Sequence, residues 1–194
     1  MLKVFKLLEA NKRYFSGREI CLLLNIKEKN RRVTLSRLVK RKVLRRLRRN
    51  LYEVIVKPTD VLEAANTLYQ PSYLSFNYCL GELGISSQIA YEIEFATPKK
   101  TKRLTLRDRS IIFRKINKKL FFGYTLKDKI FIAEPEKALL DTLYLKSKGL
   151  TSLPEAELNL KGLSRKKFLK MSRQFPANVQ KEAKLMAKEM SSRK

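Results

Sequence analysis

The chain of 194 residues contains no histidine. That absence removes the commonest general base and the commonest zinc ligand, so histidine-dependent triads and histidine-containing metal sites are excluded. Two cysteines are too few for a four-cysteine site, and Cys21 and Cys79 each sit in an apolar run, ICLLL and NYCLG. Buried free thiols are the expected state for such residues. No run approaches the roughly 20 apolar residues of a membrane span. The opening MLKVFKLLEANKRYF is interrupted by lysines too often for a secretory signal. A G-x-x-x-x-G-K phosphate loop is also missing, which argues against nucleotide hydrolysis. The expectation is a soluble, cytoplasmic chain of one or two domains, not an enzyme, with no metal and no cofactor.

Acidic residues are scarce as well: 18 Asp and Glu stand against 44 Lys and Arg, for a net charge of +26. This exceeds what solubility asks of a small domain and points to a polyanionic partner. Nucleic acid is favoured over a membrane, because nothing pairs a basic face with the large apolar face of an interfacial helix. The charge is grouped. Residues 27–50 hold twelve basic residues against Glu28 alone, 97–129 hold twelve against Asp108 and Asp128, and 161–194 hold eleven against Glu182 and Glu189. Between these islands, 51–96 and 130–160 carry a net negative charge.

The first island contains KNRRVTLSRLVKRKVLRRLRRN, residues 29–50, in which the apolar period changes near Lys42. Upstream, Leu2, Val4, Phe5, Leu7 and Leu8 predict a helix over 1–10. Ser16 and Glu19 have capping-box spacing ahead of the stripe Ile20, Leu23, Leu24, which predicts a second helix over 17–25. A third, from Asn30 to Arg41, turns Leu35, Leu38 and Val39 inward. After Lys42, VLRRL and LYEVIV read as two strands joined at Arg48, Arg49 and Asn50, with Asn50 suited to a left-handed turn. Three helices followed by a basic hairpin predict a winged helix-turn-helix, whose third helix enters the major groove of duplex DNA. Lys29, Asn30, Arg31, Arg32, Thr34 and Arg37 are the candidates for base and groove contacts, and Arg45, Arg46, Arg48 and Arg49 suit phosphates.

KPTD at 57–60 marks a domain boundary, with Asp60 as a helix cap, so that domains of 1–57 and 58–194 are expected. Beyond it VLEAANTLY reads as a helix, PSYLS as a turn leading into a helix near Ser75, and YEIEFA, TKRLTL and SIIFRKI as strands. KLFFGYTLKDKIFIA gives short strands around Gly123 and Asp128, then a helix with Pro135 in its first turn. In EPEKALLDTLY, burial is expected for Ala138, Leu139, Leu143 and Tyr144. Glu136, Lys137 and Asp141 are expected at the surface or as caps. The last island reads as two helices broken at Pro176 that dock through their apolar residues and leave a basic face exposed. The fold class is α+β, a winged helix-turn-helix followed by a mixed α/β C-terminal domain.

PSYLS, the basic run from Thr97 to Arg103, LFFGY and above all IAEPEKALLDTLY resemble the AbiEi family of abortive-infection antitoxins, regulators of type IV toxin–antitoxin pairs in phage defence. The resemblance runs along nearly the whole chain in the family's order. It implies that the N-terminal domain represses its own operon by binding operator repeats in double-stranded DNA. The C-terminal domain would be the antitoxin domain, countering a nucleotidyltransferase toxin encoded beside it. It also gives Lys99, Lys100, Lys102 and Arg103 a part in DNA or toxin control. The oligomeric state is left open; monomers seated on inverted repeats are one arrangement that fits. One departure is visible: Asn50 stands where family members often have glycine, so a stiffer turn is expected.

Two other classes compete. A nuclease needs converging carboxylates and usually a lysine; Glu92 and Glu94 share a strand face before Lys99 and Lys100, but no upstream aspartate joins them, and an ordinary polar strand face is the simpler reading. A general nucleic-acid-binding protein without an antitoxin role, for instance an RNA binder, is the closer alternative. Single-strand binding would favour aromatic residues among the basic ones. The first island has only Tyr52 at its edge, which favours duplex DNA.

Overall fold

In the computed structural model, residues 2–10, 12–56, 58, 60–88 and 90–192 are described. The chain forms two compact units, Met1–Val61 and Leu62–Lys194. Lys57 and Thr59 of the KPTD segment lie outside the described residues.

The first unit runs α1 (Leu2–Glu9), β1 (Tyr14–Phe15), α2 (Gly17–Leu23), a 3-10 turn (Glu28–Asn30), α3 (Arg31–Lys40), β2 (Leu44–Arg48) and β3 (Leu51–Val54). The capping box forms as expected: Glu19 N–H donates to Ser16 Oγ (3.2 Å) and the Ser16 N–H donates to the Glu19 carboxylate (2.7 Å). Lys12 adds an ion pair to that carboxylate. The Lys12 ammonium, followed by the two capping-box bonds with Ser16, holds Glu19 well below the usual carboxylate range, at about 2.

The period change near Lys42 has a local cause. Lys42 adopts φ +55°, its N–H donates to the Val39 carbonyl and that of Val43 to the Leu38 carbonyl. Two such bonds make a Schellman stop, with lysine in the place glycine usually takes. The chain then extends into β2, and β3 returns antiparallel to lie between β1 and β2. Leu7, Phe15, Ile20, Leu24, Leu35, Leu44, Tyr52 and Val54 make the core.

α4 (Val61–Leu68) begins at the boundary residue and leads into the second unit, which builds a six-stranded sheet from β4 (Tyr73–Leu74), β5 (Ile93–Thr97), β6 (Lys102–Leu106), β7 (Arg109–Lys115), β8 (Tyr124–Lys127) and β9 (Ile130–Ala133). The order is β6-β7-β5-β4-β9-β8, with β5/β7 and β4/β9 parallel and the other neighbours antiparallel. α5 (Phe76–Glu82) lies against β5 and against α6 (Pro135–Lys146), which also packs on α7 (Arg165–Ser172) and α8 (Ala177–Ser192). The α+β fold class is as read from the sequence. PSYLS differs: before its helix it contributes β4, a strand of two residues in the middle of the sheet.

EPEKALLD also differs. Glu136, Lys137 and Asp141 are buried, not surface residues. Lys137 Nζ donates to the Tyr73 hydroxyl (2.8 Å) and pairs with Asp141, while Tyr73 and Ser75 donate to the other carboxylate oxygen at 2.8 and 2.9 Å. The ammonium also lies 5.0–5.3 Å from the ring centres of Phe122, Phe175 and Tyr73. Burial pushes Lys137 down and Asp141 up, and only the reciprocal charge and these donors oppose it. Glu136 does cap, but for a different helix. It accepts from the Ser164 N–H (2.9 Å) at the start of α7 and pairs with Lys167 (3.1 Å). Phe168, Phe175, Val179 and Met186 are buried, so the C-terminal helices dock through them. Among the described residues no helix is long and apolar enough to cross a membrane.

Candidate nucleic-acid interface

α3 presents its side chains according to the turn of about 100° per residue. With Leu35 buried and Leu38 and Val39 packed beside it, the opposite face belongs to Val33, Ser36, Arg37 and Lys40, all exposed, with Lys29 one turn earlier. Of the residues singled out from the sequence, Lys29, Asn30, Arg32 and Arg37 are exposed; Arg31 and Thr34 are half-buried. Arg31 stands toward the core side and pairs with Glu28. Val33, Ser36 and Lys40 were missed, although counting helical turns away from Leu35 identifies them.

The hairpin residues divide in the same way. Arg45 is turned to the sheet, where its guanidinium donates to the fully buried Glu53 across the strand pair (3.0 Å). It is a structural partner of that carboxylate before it is anything else. Arg46, Arg48 and Arg49 are exposed at the end of the hairpin, and Arg46 Nε donates to the Arg48 carbonyl (3.3 Å). Asn50 adopts φ +58°, as its place in the turn requires. It has a second duty that the sequence did not disclose: its side-chain oxygen accepts from the Gly17 N–H (3.0 Å), the first helical amide of α2. This bond fixes the hairpin against the helices.

Between α3 and the hairpin lies a groove of about 460 Å³ lined by Arg31, Arg32, Ser36, Lys40, Arg46 and Arg49 over a floor that includes Leu35, Val39 and Tyr52. Five cations line it and no carboxylate does. Lys29, Arg31 and Arg32 also crowd the positive end of the α3 dipole, with Glu28 the only acid in that turn. Each such placement costs about 0.3–1 kcal/mol that an anion bound there would recover. The groove therefore concentrates positive charge that does not stabilise the isolated fold.

In the second unit, Lys99 and Lys102 flank the Tyr69 ring at 5.5 and 5.1 Å, and the Tyr69 hydroxyl donates to the Lys100 carbonyl (3.0 Å). Thr101 accepts from the Lys115 N–H (3.1 Å), which sets Lys115 beside this loop, and Lys118 and Lys119 follow. Arg103 is not part of the cluster in the same sense, since it is directed to Glu92 (3.3 Å).

The carboxylates considered for a nuclease are already engaged. Glu92 accepts from Ser110 (2.8 Å), and Glu94 is buried, paired with Arg114 (2.7 Å) and bonded to the first amides of α5. Burial still pushes the Glu94 carboxyl up, against the Arg114 charge and the Asn77 and Tyr78 amides of α5. Among the described residues no three carboxylates or thiols converge to hold a metal ion.

No curated protein matches the chain. The sequence model of one family, described as transcriptional regulator, AbiEi antitoxin, matches residues 3–55, which lie within the first unit and span its helices, hairpin and basic groove. Over those residues the chain is similar to the AbiEi antitoxin regulators, as the resemblance in its sequence indicated.

Proposed function

We propose that the chain is a DNA-binding antitoxin that represses transcription of its own type IV toxin–antitoxin operon. The first unit acts as a winged helix: α3 lies in the major groove of the operator, and the hairpin β2–β3 follows the phosphate backbone. The observation that carries this reading is the groove between α3 and the hairpin, with five cations and no acid along its lining. Arg37 and Lys40, with Lys29 beyond them, are placed to reach base edges or flanking phosphates. Arg46, Arg48 and Arg49 are placed for the backbone alone. The Asn50 to Gly17 bond supports the same reading, because a hairpin held in advance loses less conformational freedom on binding.

The second unit supplies the antitoxin activity against a neighbouring nucleotidyltransferase toxin, and the lysine cluster around Tyr69 adds affinity for an anionic polymer. The protein works in the cytoplasm and performs no catalysis.

A gel-shift titration with the DNA upstream of its own gene tests the repressor reading. At about 150 mM salt the upstream DNA should be bound at least 10³-fold more tightly than unrelated duplex. Equal affinity for the two would refute it.

A further inference from the structure

Val33 is 52% exposed on α3, whereas Leu35 is buried and Leu38 and Val39 pack against the core. A single exposed valine requires no explanation in itself. Its position distinguishes this one: Val33 lies near the middle of the face opposite Leu35, with Lys29 one turn before it, Arg37 one turn after and Ser36 and Lys40 alongside. Solubility would favour a polar residue here, and so would helix propensity, which places valine below arginine, lysine or alanine. Neither the fold nor the charge of the face gains from two methyl groups at its centre.

What gains from them is contact with another apolar group. In the major groove of duplex DNA the only such group on a base edge is the C5 methyl of thymine. Cations on either side would hold the helix by phosphates or guanine edges, and the branched side chain would then be pressed against the floor of the groove. We infer that Val33 is a specificity-determining residue, which selects a T·A pair by covering the thymine methyl. This rests on the reading of α3 as the helix that enters the major groove.

The contact can be removed from either side. The full chain is used to select its preferred duplex from a randomised pool. Each thymine of that duplex is then replaced in turn by deoxyuridine, which deletes the methyl and preserves every hydrogen-bonding group. For the unaltered protein, one or two adjacent replacements should raise Kd about three- to five-fold, the worth of one buried methyl. Val33→Ala should bind the all-thymine duplex more weakly by a similar factor and be indifferent to deoxyuridine at those positions. Its thermal midpoint should not fall, since alanine is the better helix former at an exposed site.

If the unaltered protein selects a sequence but tolerates deoxyuridine everywhere, or if Val33→Ala keeps the same sensitivity, the inference is overturned and the placement of α3 stands. If the pool yields no preferred sequence, the placement of α3 falls and the inference falls with it.

Discussion

Replacing Lys137 by methionine isolates the buried ion pair of α6 in the second unit. Lys137 and Asp141 are fully buried one helical turn apart, and the carboxylate is shared among the Lys137 ammonium, the Tyr73 hydroxyl and the Ser75 hydroxyl. Methionine keeps an unbranched stem of similar length among Phe122, Phe175 and Gly123, so little cavity is expected. What is lost is the positive charge. Breaking a buried pair from one side costs about 3–5 kcal/mol, because the remaining charge has neither water nor partner. Two hydroxyl donors remain on Asp141, which places the expected cost near the lower end, about 3 kcal/mol. With a urea m-value of about 2 kcal/mol/M the midpoint of the second unit should fall by about 1.5 M. Far-UV circular dichroism of the full chain follows this transition. Adding Asp141→Asn should restore part of the loss, since the orphaned charge is then gone. A Lys137→Met midpoint within about 0.5 M of the unaltered protein, or a double variant less stable than Lys137→Met alone, would show that the pair is not the constraint described.

Gly17→Ala probes the contact between hairpin and helices. A Cβ built there lies 2.9 Å from both Asn50 Oδ1 and Leu35 Cδ1; the first unit should lose about 1–3 kcal/mol in a urea titration, against a small gain if the site could relax. Glu19 should make the first unit acid-sensitive in a defined window. Its folded pKa of about 2 lies below the ordinary value of 4.5, so its stabilising effect is complete above pH 4.5 and is lost as pH falls toward 2. Glu19→Gln should flatten the decline of the thermal midpoint across that window, and an unchanged profile would contradict the assignment.

Much of the first unit was legible because its signals are local. Ser16 and Glu19 lie three residues apart, the Leu35, Leu38, Val39 stripe has helical spacing, and Asn50 is a residue that tolerates the left-handed turn. Lys42 hid the mechanism of the helix stop, since a lysine at positive φ is not read as a terminator. The second unit was legible in its longer strands and less so in its centre. β4 has two residues and no period to detect; it exists because β5 and β9 flank it. Lys137 and Asp141 have the i, i+4 spacing of a surface ion pair. Their burial depends on Tyr73 and on Phe122 and Phe175, which reach them only in three dimensions. In the candidate interface, composition named the arginines but could not set apart Arg31, which lines the groove while paired with Glu28, and Arg45, which Glu53 holds against the sheet.

The division of labour between α3 and the hairpin is tested most directly by comparing Arg37→Ala with Arg49→Ala on two duplexes, the upstream DNA and an unrelated one, over a range of salt. Arg37→Ala should narrow the affinity ratio between the duplexes by about ten-fold or more. Arg49→Ala should leave that ratio unchanged, weaken both duplexes, and lower the slope of log K against log salt by about one. Identical behaviour of the two variants in ratio and slope would contradict the assignment of reading to the helix and gripping to the hairpin.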